Sequence, residues 1–120
     1  MKVSIIHKSN VKTDVLDGLA KELPVVIAGA LEVPGGKLAI LKPEQIWLDF
    51  SEASARDTGP DIRVMVFARG NVPRTSAEND LAKAILEKIV TLTSKSGSVY
   101  SAAIRLYFME IGAAEYIPAC

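Results

Sequence analysis

The chain has 120 residues, 49% of them hydrophobic and 23% charged, which is the profile of one folded domain spanning residues 1–120 around a single core. Lys plus Arg and Asp plus Glu are equal at 14 each, so no surplus positive field exists to hold a nucleic-acid backbone or an anionic membrane surface. The only cysteine, Cys120, can build neither a disulfide framework nor a metal cage, and no metal or cofactor is expected. The longest apolar stretch, residues 24–31, is far below the roughly 20 residues of a membrane span. Residues 1–10 lack the apolar run of a signal peptide, so a cytoplasmic protein is expected.

Residues 3–7 (VSIIH) are short, β-branched and apolar, and predict a strand with Lys2 at its exposed start. From Thr13 to Leu31, apolar residues at Leu16, Leu19, Ala20, Leu23, Ile27 and Leu31 form a helical stripe, and Asp14 and Asp17 suit the positive end of the helix dipole. Pro24 falls inside that stripe, where it deletes a backbone bond and predicts a kink or the start of a second helix. Residues 33–43 carry two prolines and two glycines and read as a connection. Gly35 and Gly36 form a turn there and not a phosphate loop, because GGK lacks a further glycine and a following Ser or Thr.

Residues 45–50 (QIWLDF) alternate as a second strand, and residues 61–69 (DIRVMVFAR) form the clearest strand in the chain. A helix over residues 75–94 is predicted to open on the capping box Thr75-Ser-Ala-Glu78. A Ser/Gly loop follows, then a last strand over 103–109. The order is βαβ and then βαβ again about 60 residues on, an internal duplication of element order with negligible residue identity. The fold class is α+β: duplicated βαβ units, with a four-stranded mixed sheet carrying two helices on one face.

Alternation puts Ile62, Val64, Val66 and Ala68 on one face with Ile104, Leu106, Phe108, Ile46, Leu48 and Phe50, which is the face for the helices. The reverse face takes Arg63, Met65, Phe67, Arg69, Arg105, Tyr107, Met109, Trp47 and Asp49. A sheet with its second face in water is mostly polar there, so this mixture predicts an interface between copies of the chain.

Two βαβ units, about 120 residues and an amphipathic sheet back together resemble the tautomerase superfamily, and within it the 5-carboxymethyl-2-hydroxymuconate isomerase group; the macrophage migration inhibitory factor fold belongs to the same architecture. The likeness is most specific where residues 61–69 run into GNVPRTSAEN: a strand, a short Gly-containing loop, an Arg followed by a hydroxyl residue, then a helix. The resemblance implies a homotrimer with three sheets around a central axis. It implies an amino-terminal proline that moves a proton on an enol substrate, and arginines that bind the substrate's carboxylate. This chain has Lys2 where that proline belongs, and a long charged second residue predicts that Met1 is retained.

The catalytic candidates are therefore the Lys2 side chain and the Met1 α-amine, and the substrate-binding candidates are Arg74 and Arg69. A lysine amine ordinarily titrates near 10.4, so service as a base at neutral pH demands deep burial. His7, the sole histidine, has no second ligand or triad spacing around it and reads as structural, while Asp49 and Glu110 pair into no known catalytic geometry. Two readings follow: a divergent, weak enol–keto isomerase acting on a small carboxylate, or a non-catalytic ligand-binding or regulatory module. The second includes ferredoxin-like domains, which share the βαββαβ order and place the first and third strands side by side in the sheet centre.

Overall fold

The computed structural model describes residues 1–32, 42–95, 97 and 99–119. The elements are β1 (Lys2–His7), α1 (Thr13–Leu31), β2 (Trp47–Glu52), β3 (Ile62–Arg69), a short α2 (Val72–Ser76), α3 (Glu78–Ser94) and β4 (Ala102–Met109), with a 3₁₀ turn at Pro43–Gln45 before β2. Residues 33–41 of the connection expected over 33–43, with its glycine turn, and Cys120 lie outside the described residues.

The sheet order is β2-β1-β3-β4; β1 runs parallel to β2, β3 parallel to β4, and the central pair β1 and β3 is antiparallel. The two βαβ units thus meet along their first strands, as a duplication requires. The first and third strands do lie side by side in the centre, so that adjacency does not separate this fold from the ferredoxin-like one. Each parallel pair here is in direct contact, whereas a split βαβ unit has another strand between the two, and this difference decides against the ferredoxin-like alternative.

The core lies between the helices and one sheet face. Val3, Ile5, Ile62, Val64, Val66, Ala68 and Ile104 meet Val15, Leu19, Leu23, Ile27 and Leu31 of α1 and Ile85 and Ile89 of α3, all buried. The buried α1 positions are Val15, Leu19, Leu23, Ile27, Ala28 and Leu31, with Leu16 half-buried against them and Ala20 facing outward. Pro24 stands inside one continuous helix and starts no second one. The carbonyl its missing N–H would have engaged belongs to Ala20, on the exposed side, where water can take that bond. Phe50, assigned to the core face, is 37% exposed because it sits towards the end of the edge strand β2.

The capping box is not formed. Asn71 caps α2 by accepting the Arg74 backbone N–H at 2.9 Å, and the Thr75 hydroxyl donates to the carbonyls of Asn71 and Val72. α3 begins at Glu78 with no side-chain cap. At its far end Gly97, at φ 80°, donates to the Ser94 carbonyl and turns the chain off the helix in a conformation that favours glycine. Among the described residues no helix is long and apolar enough to cross a membrane.

Candidate functional site

The strand register arranges the sheet back in rows. Trp47, Lys2, Phe67 and Tyr107 stand side by side across β2, β1, β3 and β4, and the Phe67 and Tyr107 rings stack with centroids 5.0 Å apart. The next row is Asp49, Ser4, Met65 and Arg105. Asp49 Oδ2 accepts the Ser4 hydroxyl at 3.0 Å and lies 3.4 Å from Lys2 Nζ, so one carboxylate oxygen serves both. Trp47 is 63% exposed, and Tyr107 and Met109 are exposed as well.

At the Lys2 end of these rows lies a cleft of about 860 Å³. Its floor is Met1, Lys2, Trp47, Phe67 and Met109; Glu44 and Gln45 of the 3₁₀ turn form one side, and residues 111–115 form another. Each wall has a local cause. Gln45 Oε1 accepts the Lys42 N–H at 3.0 Å and folds the turn, and the Trp47 N–H donates to the Met1 carbonyl at 3.0 Å, tying β2 to the chain's first residue. Arg69 Nη2 donates to the Ile111 carbonyl at 3.0 Å and fastens the segment that leaves β4.

The sequence candidates therefore separate. Met1 and Lys2 line the cleft, and Arg69 holds its outer wall without lining it. Arg74 is elsewhere. Expected as a carboxylate clamp just ahead of a helix, it lies within α2 and is buried, donating from Nε to the Leu31 carbonyl at 3.1 Å and from Nη1 to the Arg69 carbonyl at 2.8 Å. Burial pulls its pKa below the usual arginine value. Its guanidinium satisfies a free carbonyl at the end of α1 and braces the end of β3. Among the described residues that line the cleft at Lys2, Arg74 does not appear.

Sequence reasoning missed Glu44, Gln45 and residues 111–115 as parts of the site. Neither segment has a periodicity or motif, and they meet only because β1, β2 and β4 bring their ends together. Among the described residues, no group of three or more His, Cys, Asp or Glu could hold a metal ion. The opposite end of the sheet is closed by polar bonds. The Ser101 N–H and the Asn10 amide hold Asp61 below the usual carboxylate pKa, and the Gly59 N–H and Arg63 guanidinium do the same for Asp57.

No protein-family model matches the chain, and no curated protein matches it by sequence. Solved structures do match in shape. A wild-type symmetric trimer of fused 4-OT superposes with a TM-score of 0.66 over 98% of this chain and 94% of the other, at 12% identity. N1, a member of the cis-3-chloroacrylic acid dehalogenase family, gives 0.66 over 98% and 84%, at 9% identity. Malonate semialdehyde decarboxylase gives 0.60 over 96% and 93%, also at 9% identity. The chain has the fold these structures share, and the tautomerase-like α+β fold expected from the sequence is the fold observed.

Proposed function

We propose that this protein is a divergent tautomerase-superfamily member, akin to the 5-carboxymethyl-2-hydroxymuconate isomerase group, that assembles as a trimer through its sheet back and binds a small carboxylate in the cleft at the start of β1. The observation that carries the reading is the position of that cleft. It opens on Met1 and Lys2, where the family resemblance puts the proton-moving amine, on a chain with this fold. The exposed Trp47, Tyr107 and Met109 support assembly, since burying one such side chain contributes roughly 1.5–3 kcal/mol. Three of the fused 4-OT structures with this shape are trimers.

The reaction is enol–keto isomerisation, in which an amine takes the enol proton and returns it to carbon, leaving the atom count unchanged. Activity is weak, because Lys2 stands where the resemblance puts the proline, is 60% exposed and is paired with Asp49 rather than enclosed in an apolar pocket. A positioned base is worth roughly 10²–10⁴ in rate, which sets the scale of what is lost. That same ion pair favours a second reading, a ligand-binding protein without catalysis. Following the ultraviolet absorbance of phenylenolpyruvate or a 2-hydroxydienoate tests the first: a rate above buffer that falls in Lys2→Ala is expected. Equal rates for protein and buffer remove the isomerase and leave the binding protein.

A further inference from the structure

The two strands that end the sheet carry opposite charge. β2 holds Asp49 and Glu52 and no cation, whereas β4 holds Arg105 and no carboxylate. The order β2-β1-β3-β4 leaves each of them with one side unpaired among the described residues. Asp49 and Arg105 also stand at opposite ends of one row of the sheet back. Each is only half satisfied within its own chain. Asp49 uses Oδ2 alone, for Ser4 and Lys2, while Arg105 donates only to the carbonyl of Ile104 and pairs with no carboxylate among the described residues. Beyond β4 a groove of about 710 Å³ runs between that strand and α3, so the Arg105 side is open. Glu78 and Lys83 line the groove with opposite signs, and neither is in an ion pair among the described residues.

Three sheets set around an axis with their backs inward bring the β2 edge of each copy against the β4 edge of the next, a head-to-tail contact that closes into a ring. With the strands along that axis, residues of one row lie at one height, so each row continues from copy to copy. The rows then match across the contact: Trp47 with Tyr107, Asp49 with Arg105, and Ser51 with Ala103. Ring meets ring, acid meets base and small meets small. We infer that neighbouring copies are joined by an ion pair between Asp49 of one and Arg105 of the next, with the Asp49 Oδ1 as acceptor. The neighbour thereby braces the Lys2–Asp49 pair, and its Tyr107 comes to the Trp47 floor of the cleft, so each cleft is completed by a second copy. The other charges at that end, the Met1 α-ammonium, Glu44 and Glu115, line the cleft and stand outside this row. A guanidinium suits the position, because its fork reaches a carboxylate that Lys2 engages at one oxygen only.

The inference rests on the proposed trimer, and charge reversal separates the two. Sedimentation equilibrium of the intact protein is run for D49R, R105D and the double variant D49R/R105D. Each single reversal sets like charges together and is expected to raise the concentration at which the trimer dissociates by about tenfold or more. The double variant restores the pair with its partners exchanged and is expected to return to within about threefold of the unaltered chain. Arg105→Ala covers the case in which a reversal disturbs folding. It breaks only the bond to Ile104 within its own chain, and it too should loosen the trimer while circular dichroism stays unchanged. Trimers indifferent to these substitutions, or a double variant no tighter than the weaker single, overturn the ion pair and leave a trimer built on other contacts. Lone chains of the unaltered protein at micromolar concentration remove the trimer and the inference together.

Discussion

β3 shows two surfaces within eight residues. Ile62, Val64, Val66 and Ala68 are at most 1% exposed under the helices, while the alternating Arg63, Met65, Phe67 and Arg69 look out from the other side. The inward set is uniformly aliphatic and complete within one chain. The outward set mixes sulfur, aromatic rings and charge, and only part of it finds partners: Arg63 on Asp57, Phe67 on Tyr107, Arg69 on Ile111. One face is therefore built to hold this chain together, and the other to meet something else. The cleft lies where that second face runs out at the start of β1.

Substitutions can break this contrast, and the largest effect belongs to the inner face. Ile5→Ala, at a fully buried position, should lower the unfolding free energy by about 2–5 kcal/mol in a denaturant titration. A cost below about 1 kcal/mol would mean that this face is not the core. On the outer face, Trp47→Ala should leave the secondary structure intact and weaken self-association by roughly 1.5–3 kcal/mol per buried contact, read by sedimentation at falling concentration. Arg74→Ala strands the Leu31 and Arg69 carbonyls and should cost about 1–3 kcal/mol of stability. Arg74→Lys should recover little of it, since one ammonium cannot reproduce the fork that reaches both carbonyls.

The smallest effect is acid sensitivity at the closed end of the sheet. Asp57 and Asp61 both titrate lower in the folded chain than the ordinary 3.8. Their contribution to stability is thus complete above that value and is lost as the pH falls through the lower folded values, so stability rises with pH across that window. Asp61→Asn, followed by thermal melts between pH 2 and 5, should flatten part of this slope; an unchanged slope would show that the Ser101 and Asn10 bonds contribute nothing.

Much of the framework was legible in the sequence because it depends on periodicity. α1 occupies Thr13–Leu31 as the stripe predicts, and β3 alternates as its residues do. The start of the second long helix was not legible, because the chain first forms the short α2, which Asn71 caps. Asn71 reaches the Arg74 N–H and its own carbonyl takes the Thr75 hydroxyl, so the expected capping box does not form. The surroundings of Arg74 were not legible for a different reason. Its partner Leu31 lies 43 residues earlier, and only tertiary packing brings that carbonyl to a residue that otherwise reads as an anion clamp. Glu44 and Glu115 carry no local pattern at all, so their place in the cleft could be seen only in three dimensions.

The central claim is that the outer sheet face is covered by other copies of this chain, and that the cleft forms at its margin. Sedimentation equilibrium of the intact protein at micromolar concentration tests it most directly. Three chain masses in one particle, with Trp47 emission shielded from a soluble quencher, is the predicted result. A single chain mass with a freely quenched indole would contradict it.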